Sequence, residues 1–216
     1  MPKRVDHAVR RAEIAEALLR VAARRGLHAV GMRDVAAEAG VSLRLVQYYF
    51  ETKEKLLLHG LRQLTERFGE RVAARVRAAG GDPGPRATVE ALLTAALPTD
   101  EESRVFHLVY TSYAVLSVTD PALAAQPFVK DPDAAEDALT GLLRRAQERG
   151  LLRPGVDARS EAVGLLALSS GLGTGVLVGQ RSPEAALSAL HYRLDRIFLD
   201  GSAAGRGHGG DDLARG

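Results

Sequence analysis

Residues 32–50 read MRDVAAEAGVSLRLVQYYF, which is two short segments with helical apolar spacing on either side of Gly40. Glycine adopts the positive φ of a tight turn without steric cost, and Ser42 is of a residue type favoured at a helix N-cap. The pattern predicts a helix over Met32–Glu38, a turn at Gly40 and a second helix over Leu43–Phe50. This part of the chain is therefore constrained to a helix-turn-helix.

The rest of the chain also shows helical periodicity. Ile14, Leu18 and Val21 mark one buried face of a helix over 7–25, and a long amphipathic run over 54–79 ends at the breaker GGDPGP, residues 80–85. Further helices are predicted over 86–97, 100–118, 133–149, 158–179 and 183–199. No strand-like alternation is present in the sequence, so we expect an all-α fold.

The groove-facing side of the second short helix carries polar chemistry. Helical spacing places Leu45, Val46, Tyr49 and Phe50 on the face that packs inward. The opposite face carries Leu43, Arg44, Gln47 and Tyr48. An arginine fork donates to guanine N7 and O6, and a glutamine amide pairs with adenine N6 and N7, so this face is suited to reading bases. Arg33 and Lys53 are placed to contact a second base or the phosphates.

The charge distribution agrees with an anionic partner at the amino-terminal end. Residues 1–60 hold 11 Lys/Arg and 7 Asp/Glu, whereas residues 61–216 hold 18 and 20. The whole chain carries a formal net charge of only +2. The excess of cations in the first quarter therefore favours an anionic partner for that end.

The composition excludes several kinds of site. The chain has no cysteine, which excludes disulfides, thiolate metal sites and a cysteine nucleophile. Its six histidines show no i, i+4 pair, so no metal site is predicted. We find no nucleophile–base or acid–base pair and no complete dinucleotide-binding glycine motif. We therefore expect no catalytic residues, no cofactor and no enzymatic activity.

The stretch GVSLRLVQYYFETKEKLL resembles the signature of TetR-family transcription regulators. The matching residues are Gly40, Val41, Ser42, Val46, Tyr49, Phe50, Lys53, Glu54, Leu56 and Leu57. Arg44 stands where a small residue is common, and Gln47 stands where tyrosine is usual, which bears on the operator sequence. Together with the groove-facing pattern, the resemblance implies these DNA-contacting residues: Arg33, Ser42, Leu43, Arg44, Gln47, Tyr48, Tyr49 and Lys53.

The carboxy-terminal half is similar, more loosely, to the betaine-regulator-like branch of that family. The resemblance implies a four-helix dimer interface formed by helices 158–179 and 183–199 of two copies. Independently, Gly171, Gly175 and Gly179 recur every four residues and leave one helix face without side chains. The dimer-interface candidates are Gly171, Gly175, Gly179, Leu187, Leu190 and Leu194.

The segment RVFHLVYTSYAVLS, residues 104–117, mixes apolar and polar side chains. Between helices it would give an apolar pocket with a few orienting polar groups, suited to an apolar or aromatic small-molecule effector. The alternative is a core helix whose polar residues face solvent or a partner copy. The pocket candidates are Phe106, His107, Tyr110, Tyr113, Ser117, Phe128 and Ser169.

These features predict a three-helix DNA-binding domain over 1–53, joined by a long helix to a helical ligand-binding and dimerisation domain over 54–200. The glycine-rich tail over 201–216 is predicted to be disordered. The 19 uncharged residues from 162 to 180 include five glycines, so we expect a core helix there, no membrane association and a cytoplasmic protein.

The expected function is a homodimeric repressor that leaves a palindromic double-stranded DNA operator when it binds a small-molecule effector. One alternative is a helical ligand carrier or enzyme with an idle helix-turn-helix, which would need a paired acid and base. Another alternative is an activator or architectural DNA-binding protein that has no ligand. Release of the DNA by a small molecule would distinguish a repressor from this second alternative.

Overall fold

The computed structural model describes residues 2–80, 83–124 and 133–199. The amino-terminal part contains α1 (Pro2–Arg25), a 3-10 turn (Leu27–Ala29), α2 (Met32–Glu38), α3 (Leu43–Phe50) and α4 (Lys53–Ala78). It is followed by α5 (Pro85–Ala95), α6 (Glu101–Ser117), α7 (Pro121–Ala124), α8 (Asp133–Glu148), α9 (Ala158–Leu177) and α10 (Pro183–Ile197). The all-α prediction is confirmed, although α1 begins five residues earlier than position 7. Phe128 and the tail over 201–216 lie outside the described residues.

The helices begin where the sequence supplies caps. Ser42 Oγ accepts from the Leu45 backbone N–H at 3.2 Å, and Thr52 Oγ1 accepts from that of Lys55 at 3.3 Å. Asp157 Oδ1 accepts from the Ser160 N–H at 2.8 Å at the start of α9. Ser182 does the same for α10, where Pro183 occupies the first position. Such side chains satisfy backbone donors that have no partner inside the helix.

The first hydrophobic core joins α1–α4 to α6 and α7. Apolar side chains of the three amino-terminal helices pack on the first half of α4, including Leu56, Leu61 and Leu64. Val109 and Tyr113 of α6 belong to the same core. Residues on both sides of the predicted boundary between 53 and 54 therefore pack in one core. Through these contacts α4 connects the helix-turn-helix to α6.

The second core joins α5, α8, α9 and α10, and lies within residues 89–198. The end of α10 is joined to the segment before α9 by two backbone hydrogen bonds, from Arg153 N to Ile197 O at 2.9 Å and from Leu199 N to Leu151 O at 2.8 Å. By length and composition α9 could cross a membrane, with a mean hydropathy of 1.3. Its Ala162, Leu165 and Leu172 nevertheless lie in this core, as expected for a core helix.

Helix α4 crosses α1 closely at Gly60. A Cβ atom at Gly60 would lie 2.5 Å from Cδ2 of Leu18, whose side chain is buried. Gly69, on the same helix, has no atom within 4 Å of such a Cβ. The absence of a side chain at position 60 therefore permits the crossing of the two helices.

We expect Gly60→Ala to lower the free energy of unfolding by about 1–2 kcal/mol, because overpacking costs more than the gain in helix propensity. Gly69→Ala should raise it by about 0.5–1 kcal/mol, since only the gain in helix propensity applies there. Urea denaturation of both variants checks this pair. Equal stabilisation by both substitutions would contradict the close crossing.

Candidate nucleic-acid interface and effector region

The turn between α2 and α3 has the geometry that the sequence predicts. Gly40 has a φ of 66°, in the left-handed region that favours glycine, and the Val41 N–H donates to Ala36 O at 2.9 Å. Val46 and Phe50 of α3 are buried against α1 and α4. These contacts fix α3 on the domain and leave its other face outside.

The outer face of α3 presents Arg44, Gln47 and Tyr48. All three are exposed, and Tyr48 exposes 69% of its surface. The placement of Leu43 on this open face was wrong in part, because its side chain is half-buried and packs on the first core. Tyr49 is also half-buried against that core. Leu43 and Tyr49 therefore mainly hold α3 against the first core and project little from its outer face.

Three cations on and beside this face, Arg33, Arg44 and Lys53, have no acidic partner among the described residues, unlike the cations behind it. Arg24 pairs with Glu38, and Arg25 NH1 lies 2.7 Å from Asp34 Oδ1. Within the part of the chain that the structure describes, no carboxylate lies within 4.0 Å of the Arg33, Arg44 or Lys53 cation. These three charges are available to an external anion, which fits the phosphates and acceptor atoms of DNA.

The joint between α3 and α4 is a tight and strained turn. Glu51 has a φ of 58° and a ψ of −56°, and the Thr52 N–H donates to Phe50 O at 2.5 Å. A residue other than glycine adopts this conformation at a cost of about 1–3 kcal/mol. Lys53 is the first residue of α4, where free backbone N–H groups also favour an anion. The turn sets the angle between α3 and α4.

An aromatic contact from α1 reaches α3, which the sequence did not indicate. The His7 ring lies 5.5 Å from the Tyr49 ring and 6.4 Å from the Tyr48 ring, measured between centroids. The Tyr48 and Tyr49 rings are 5.3 Å apart and edge-on. Residue spacing within α1 could have placed His7 on a face, but only the folded chain places that face against α3.

The structure separates the pocket candidates into three groups. Phe106 stacks on Phe68 of α4 at 4.5 Å and on Tyr110 at 5.9 Å, measured between ring centroids. Tyr113 and Ser117 are buried, and Tyr113 donates to Leu123 O at 3.2 Å. His107 and Ser169 lie instead between α5, α6 and α9. The candidates therefore do not converge on one large cavity.

A small cavity of about 10 Å³ lies beside the stacked rings, between α4, α5 and α6. Its lining includes Phe68, Phe106, Arg67 and Arg71. Arg71 binds Asp100 with both guanidinium nitrogens at 2.9–3.0 Å and reaches Glu102 at 2.8 Å. Arg71 and Glu102 of this ion-pair network line the cavity. Within residues 2–80, 83–124 and 133–199, no group of His, Asp and Glu could hold a metal ion.

His107 fills the space between α6 and α9. Its Nδ1 lies 3.3 Å from Ala96 O, and its Nε2 lies 3.4 Å from Thr174 Oγ1. A Cβ atom on Gly173 would fall 2.2 Å from His107 Cε1, so only glycine leaves room for the ring. Burial lowers the pKa of His107 below its ordinary value of about 6.5, although the Ala96 carbonyl opposes the shift.

This pKa shift predicts a loss of stability in mild acid. The unfolded chain takes up a proton at His107 below about pH 6.5, whereas the folded chain resists protonation, so the free energy of unfolding falls as the pH decreases below that value. We expect His107→Asn to reduce this fall, measured by urea denaturation at several pH values. His59, whose pKa is also lowered chiefly by burial, gives a parallel comparison in His59→Asn. An unchanged pH dependence in His107→Asn would contradict the assignment.

The dimer candidates lie on different faces of α9 and α10. The prediction that Leu190 and Leu194 lie at a partner interface was wrong, because both are fully buried in the protomer's own second core. Leu187 is half-buried and packs on that core. The Arg181 side chain covers Gly175, and Gly179 follows the end of α9 with a φ of 75°. Of the three glycines, only Gly171 combines a place inside α9 with exposure and open space around its Cα.

A continuous face of α9 without charged side chains remains uncovered. The exposed residues of this face are Val163, Gly164, Ala167, Ser170, Gly171, Thr174 and Val178. They recur at helical spacing along one side, and Val163 and Val178 expose 47% and 63% of their surfaces. Small residues on such a face permit another helix to approach closely.

Comparisons with known proteins agree with this geometry in both halves of the chain. The sequence model of the family "Bacterial regulatory proteins, tetR family" matches residues 14–59. The sequence model of the family "BetI-type transcriptional repressor, C-terminal" matches residues 85–199. The HTH-type transcriptional regulator PksA of Bacillus subtilis is 32% identical over 176 residues, which is 80% of either chain.

Two solved structures illustrate the likeness in three dimensions. A transcriptional regulator of Saccharomonospora viridis, solved in complex with choline, is 28% identical with a TM-score of 0.79, over 88% of this chain and 98% of that one. AibR, solved with isovaleryl coenzyme A and operator DNA, is 22% identical with a TM-score of 0.66, over 88% and 100%, and shows the fold alone. The chain belongs to the TetR family of bacterial transcriptional regulators, and its carboxy-terminal domain is of the BetI type.

Proposed function

We propose that the protein is a homodimeric repressor that binds a palindromic double-stranded DNA operator and leaves it when a small molecule binds the carboxy-terminal domain. The observation that carries this proposal is the outer face of α3, where Arg44 and Gln47 are exposed and Arg44 has no carboxylate partner within the described residues. The relatives are named as transcriptional regulators. We place the protein in the cytoplasm, where bacterial DNA lies.

In this proposal α3 enters the major groove. Arg44 donates to guanine O6 and N7, and Gln47 pairs with the adenine edge one helical turn further along. Ser42 still has a hydroxyl hydrogen to donate, since its oxygen serves only as an acceptor in the α3 cap. Arg33 and Lys53 bind phosphates on either side of α3, and Tyr48 contacts the groove wall. Leu43 and Tyr49 keep α3 in position from below.

Dimerisation would follow from the uncharged face of α9. Two copies packed through that face are related by a twofold axis, and each contributes the same residues around Gly171. A twofold dimer presents its two α3 helices to successive major grooves, about 34 Å apart, which requires a palindromic operator. Small residues permit close contact, and the two exposed valines provide apolar area.

Effector binding would act through α4. This helix carries α3 at its beginning and Phe68 beside α6 in its second half, so a shift of α6 moves the joint at Glu51. We place the effector beside Phe106 and Tyr110, whose ring faces suit an apolar or aromatic molecule. The cavity of about 10 Å³ at this place must widen to admit an effector, and that widening is the shift of α6. Such rings also bind quaternary ammonium groups, and the Saccharomonospora viridis regulator was solved with choline. Choline is therefore the first compound to test.

The experiment begins with selection of bound duplexes from a random library by the purified protein, with excess competitor DNA. We expect enrichment of a palindrome, and we expect an effector to raise the concentration of protein needed for binding by about 100-fold, equivalent to roughly 2.7 kcal/mol. Choline is titrated into the complex first, with a Phe106→Ala variant as control. Enrichment of no sequence would reject the proposal in favour of a ligand-binding protein with an idle helix-turn-helix. Tight binding of a palindrome that promotes transcription in a reconstituted assay would instead indicate an activator.

A further inference from the structure

Helix α6 contacts α4 and α9 through two neighbouring residues. Phe106 stacks on Phe68 of α4, with 4.5 Å between the ring centroids. His107 lies instead against the end of α5 and the middle of α9, where its Nδ1 is 3.3 Å from Ala96 O and its Nε2 is 3.4 Å from Thr174 Oγ1. A displacement of α6 therefore changes its contact with α9 and its contact with α4, the helix that carries α3, at the same time.

The contact between α6 and α9 is a buried ring on bare backbone. His107 exposes only 4% of its surface. A Cβ atom on Gly173 would fall 2.2 Å from His107 Cε1 and 2.6 Å from its Nδ1. The ring is enclosed by α5, α6 and α9, and side chains in such close-packed surroundings do not turn aside without displacing their neighbours. The ring therefore sets how closely α6 approaches α9.

The turn of α9 that receives His107 also belongs to the uncharged face through which we propose that two copies meet. Thr174 and Ser170 are exposed on that face, and Thr174 Oγ1 donates to Ser170 O at 3.0 Å. Gly173, the residue beside Thr174, is buried. His107 thus joins α6 to the part of α9 nearest the partner copy, and dimerisation through that face fixes α9 relative to the partner.

The geometry of a dimer that reads DNA makes the position of α6 important. A twofold dimer binds a palindrome only when its two α3 helices are spaced as two successive major grooves, about 34 Å apart. In each copy, one connection from α3 to the dimer helix α9 passes through α4, α6 and His107. A change in the distance between α6 and α9 therefore changes the spacing of the two α3 helices, while each α3 itself stays intact.

We propose that His107 is a positioning residue for regulation, whose ring on Gly173 sets the distance between α6 and α9 and thereby the spacing of the two α3 helices. This inference rests on the proposed function, in which α3 reads DNA, α9 forms the dimer and a shift of α6 releases the operator. An effector beside Phe106 acts one residue away from this contact. The contact of His107 with Gly173 is the support against which α6 moves.

Gly173→Ala tests this role without an effector, because the added methyl group meets the His107 ring and displaces α6 from α9. Fluorescence anisotropy measures the affinity for the selected palindrome and for its single half-site. We expect the affinity for the palindrome to fall by about 5- to 150-fold, the usual size of coupling between two sites, and the affinity for the half-site to stay unchanged. Sedimentation velocity checks that the variant is dimeric at the assay concentrations.

Gly141→Ala is the matched control for this variant. Gly141 also lies inside a helix of the carboxy-terminal domain, α8. A Cβ atom there would lie 3.8 Å from Arg145 NH1, which is an ordinary van der Waals contact. The same substitution thus adds a methyl group without displacing a helix. Gly141→Ala should keep the wild-type ratio of palindrome to half-site affinity.

Removal of the ring tests whether His107 is the residue that the methyl group meets. In a His107→Ala background, Gly173→Ala should cause no further change in the ratio of palindrome to half-site affinity, since the two positions act through one contact. His107→Ala alone should also lower this ratio, because α6 is no longer held away from α9. This variant introduces no clash, so it tests the proposal even where Gly173→Ala does not fold.

The outcomes separate this inference from the proposed function. If the wild-type protein prefers its palindrome but His107→Ala and Gly173→Ala keep its ratio of affinities, the role of His107 is wrong and the function of α3 stands. Equal losses for palindrome and half-site would also contradict the role, because they would indicate a loss of folded protein alone. An undiminished effect of Gly173→Ala in the His107→Ala background would assign the coupling to another contact. If the wild-type protein prefers no duplex, both proposals are overturned.

Discussion

Arg44→Ala should lose about 1–3 kcal/mol of preference for the operator over random duplex, a factor of roughly 5 to 150. The physical reason is the position of Arg44 on the outer face of α3, exposed and without a carboxylate partner within the described residues. Its guanidinium can therefore donate its fork to guanine without first breaking an ion pair. Competition binding with operator and random duplexes measures the preference directly.

Lys53→Ala is the matched comparison for Arg44→Ala. Both substitutions remove one positive charge near the same surface, but Lys53 begins α4, where a phosphate contact is expected. Lys53→Ala should therefore weaken binding to every duplex by a similar factor and make the slope of log K against log [KCl] less steep by about 0.9. If both variants lost affinity equally for all sequences, the base-reading role of Arg44 would be refuted.

Gly171→Gln should separate the dimer into protomers. Gly171 is exposed on the uncharged face of α9, and a side chain there would stand between two closely packed helices. Each copy contributes the same clash of about 1–3 kcal/mol, so the free energy of dimerisation weakens by about 2–6 kcal/mol. The Kd of the dimer should therefore increase by a factor between roughly 30 and more than 10⁴. Sedimentation velocity over a range of protein concentrations measures this change.

Gly69→Gln is the control for that variant. Gly69 is also an exposed glycine within a helix, and no atom lies within 4 Å of its would-be Cβ. Glutamine favours helix at both positions, so neither protomer should lose stability. The dimer should persist in Gly69→Gln and dissociate in Gly171→Gln. A wild-type Kd in Gly171→Gln would mean that the α9 face is not the contact between copies.

Local rules were sufficient to predict most of the helices and several of their ends, but not the start of α1 or the short helix α7. Ser42, Thr52 and Ser182 accept hydrogen bonds from the first turns of their helices, as their residue types suggest, and Gly40 has the positive φ that a tight turn requires. Each of these features depends on residues within four positions along the chain. The sequence therefore contains the information needed to place them.

Apolar spacing alone could not show which partner covers a helix. Leu190 and Leu194 form an apolar stripe, but a stripe of this kind is the same whether the protomer or a second copy buries it. In the structure the protomer buries it. Leu43 was misplaced for a related reason, since it lies at the edge of the inward face of α3, where spacing does not decide exposure.

Contacts between distant segments were also beyond prediction. His107 was identified as a pocket residue because of its neighbours in sequence, yet it packs against Gly173, 66 positions away, and fills the space that a pocket would need. His7 likewise contacts the rings of Tyr48 and Tyr49, 41 and 42 positions away. Such distances along the chain carry no local pattern.

The most direct test of the central claim is the stoichiometry of binding to the selected palindrome. It is measured by fluorescence anisotropy, with protein titrated into a fixed concentration of the duplex well above the Kd. We expect saturation at two or four protomers per palindrome in the presence of excess competitor DNA, and a large loss of affinity for a single half-site. Saturation at one protomer, or equal affinity for the palindrome and the half-site, would contradict a dimer that reads two successive major grooves.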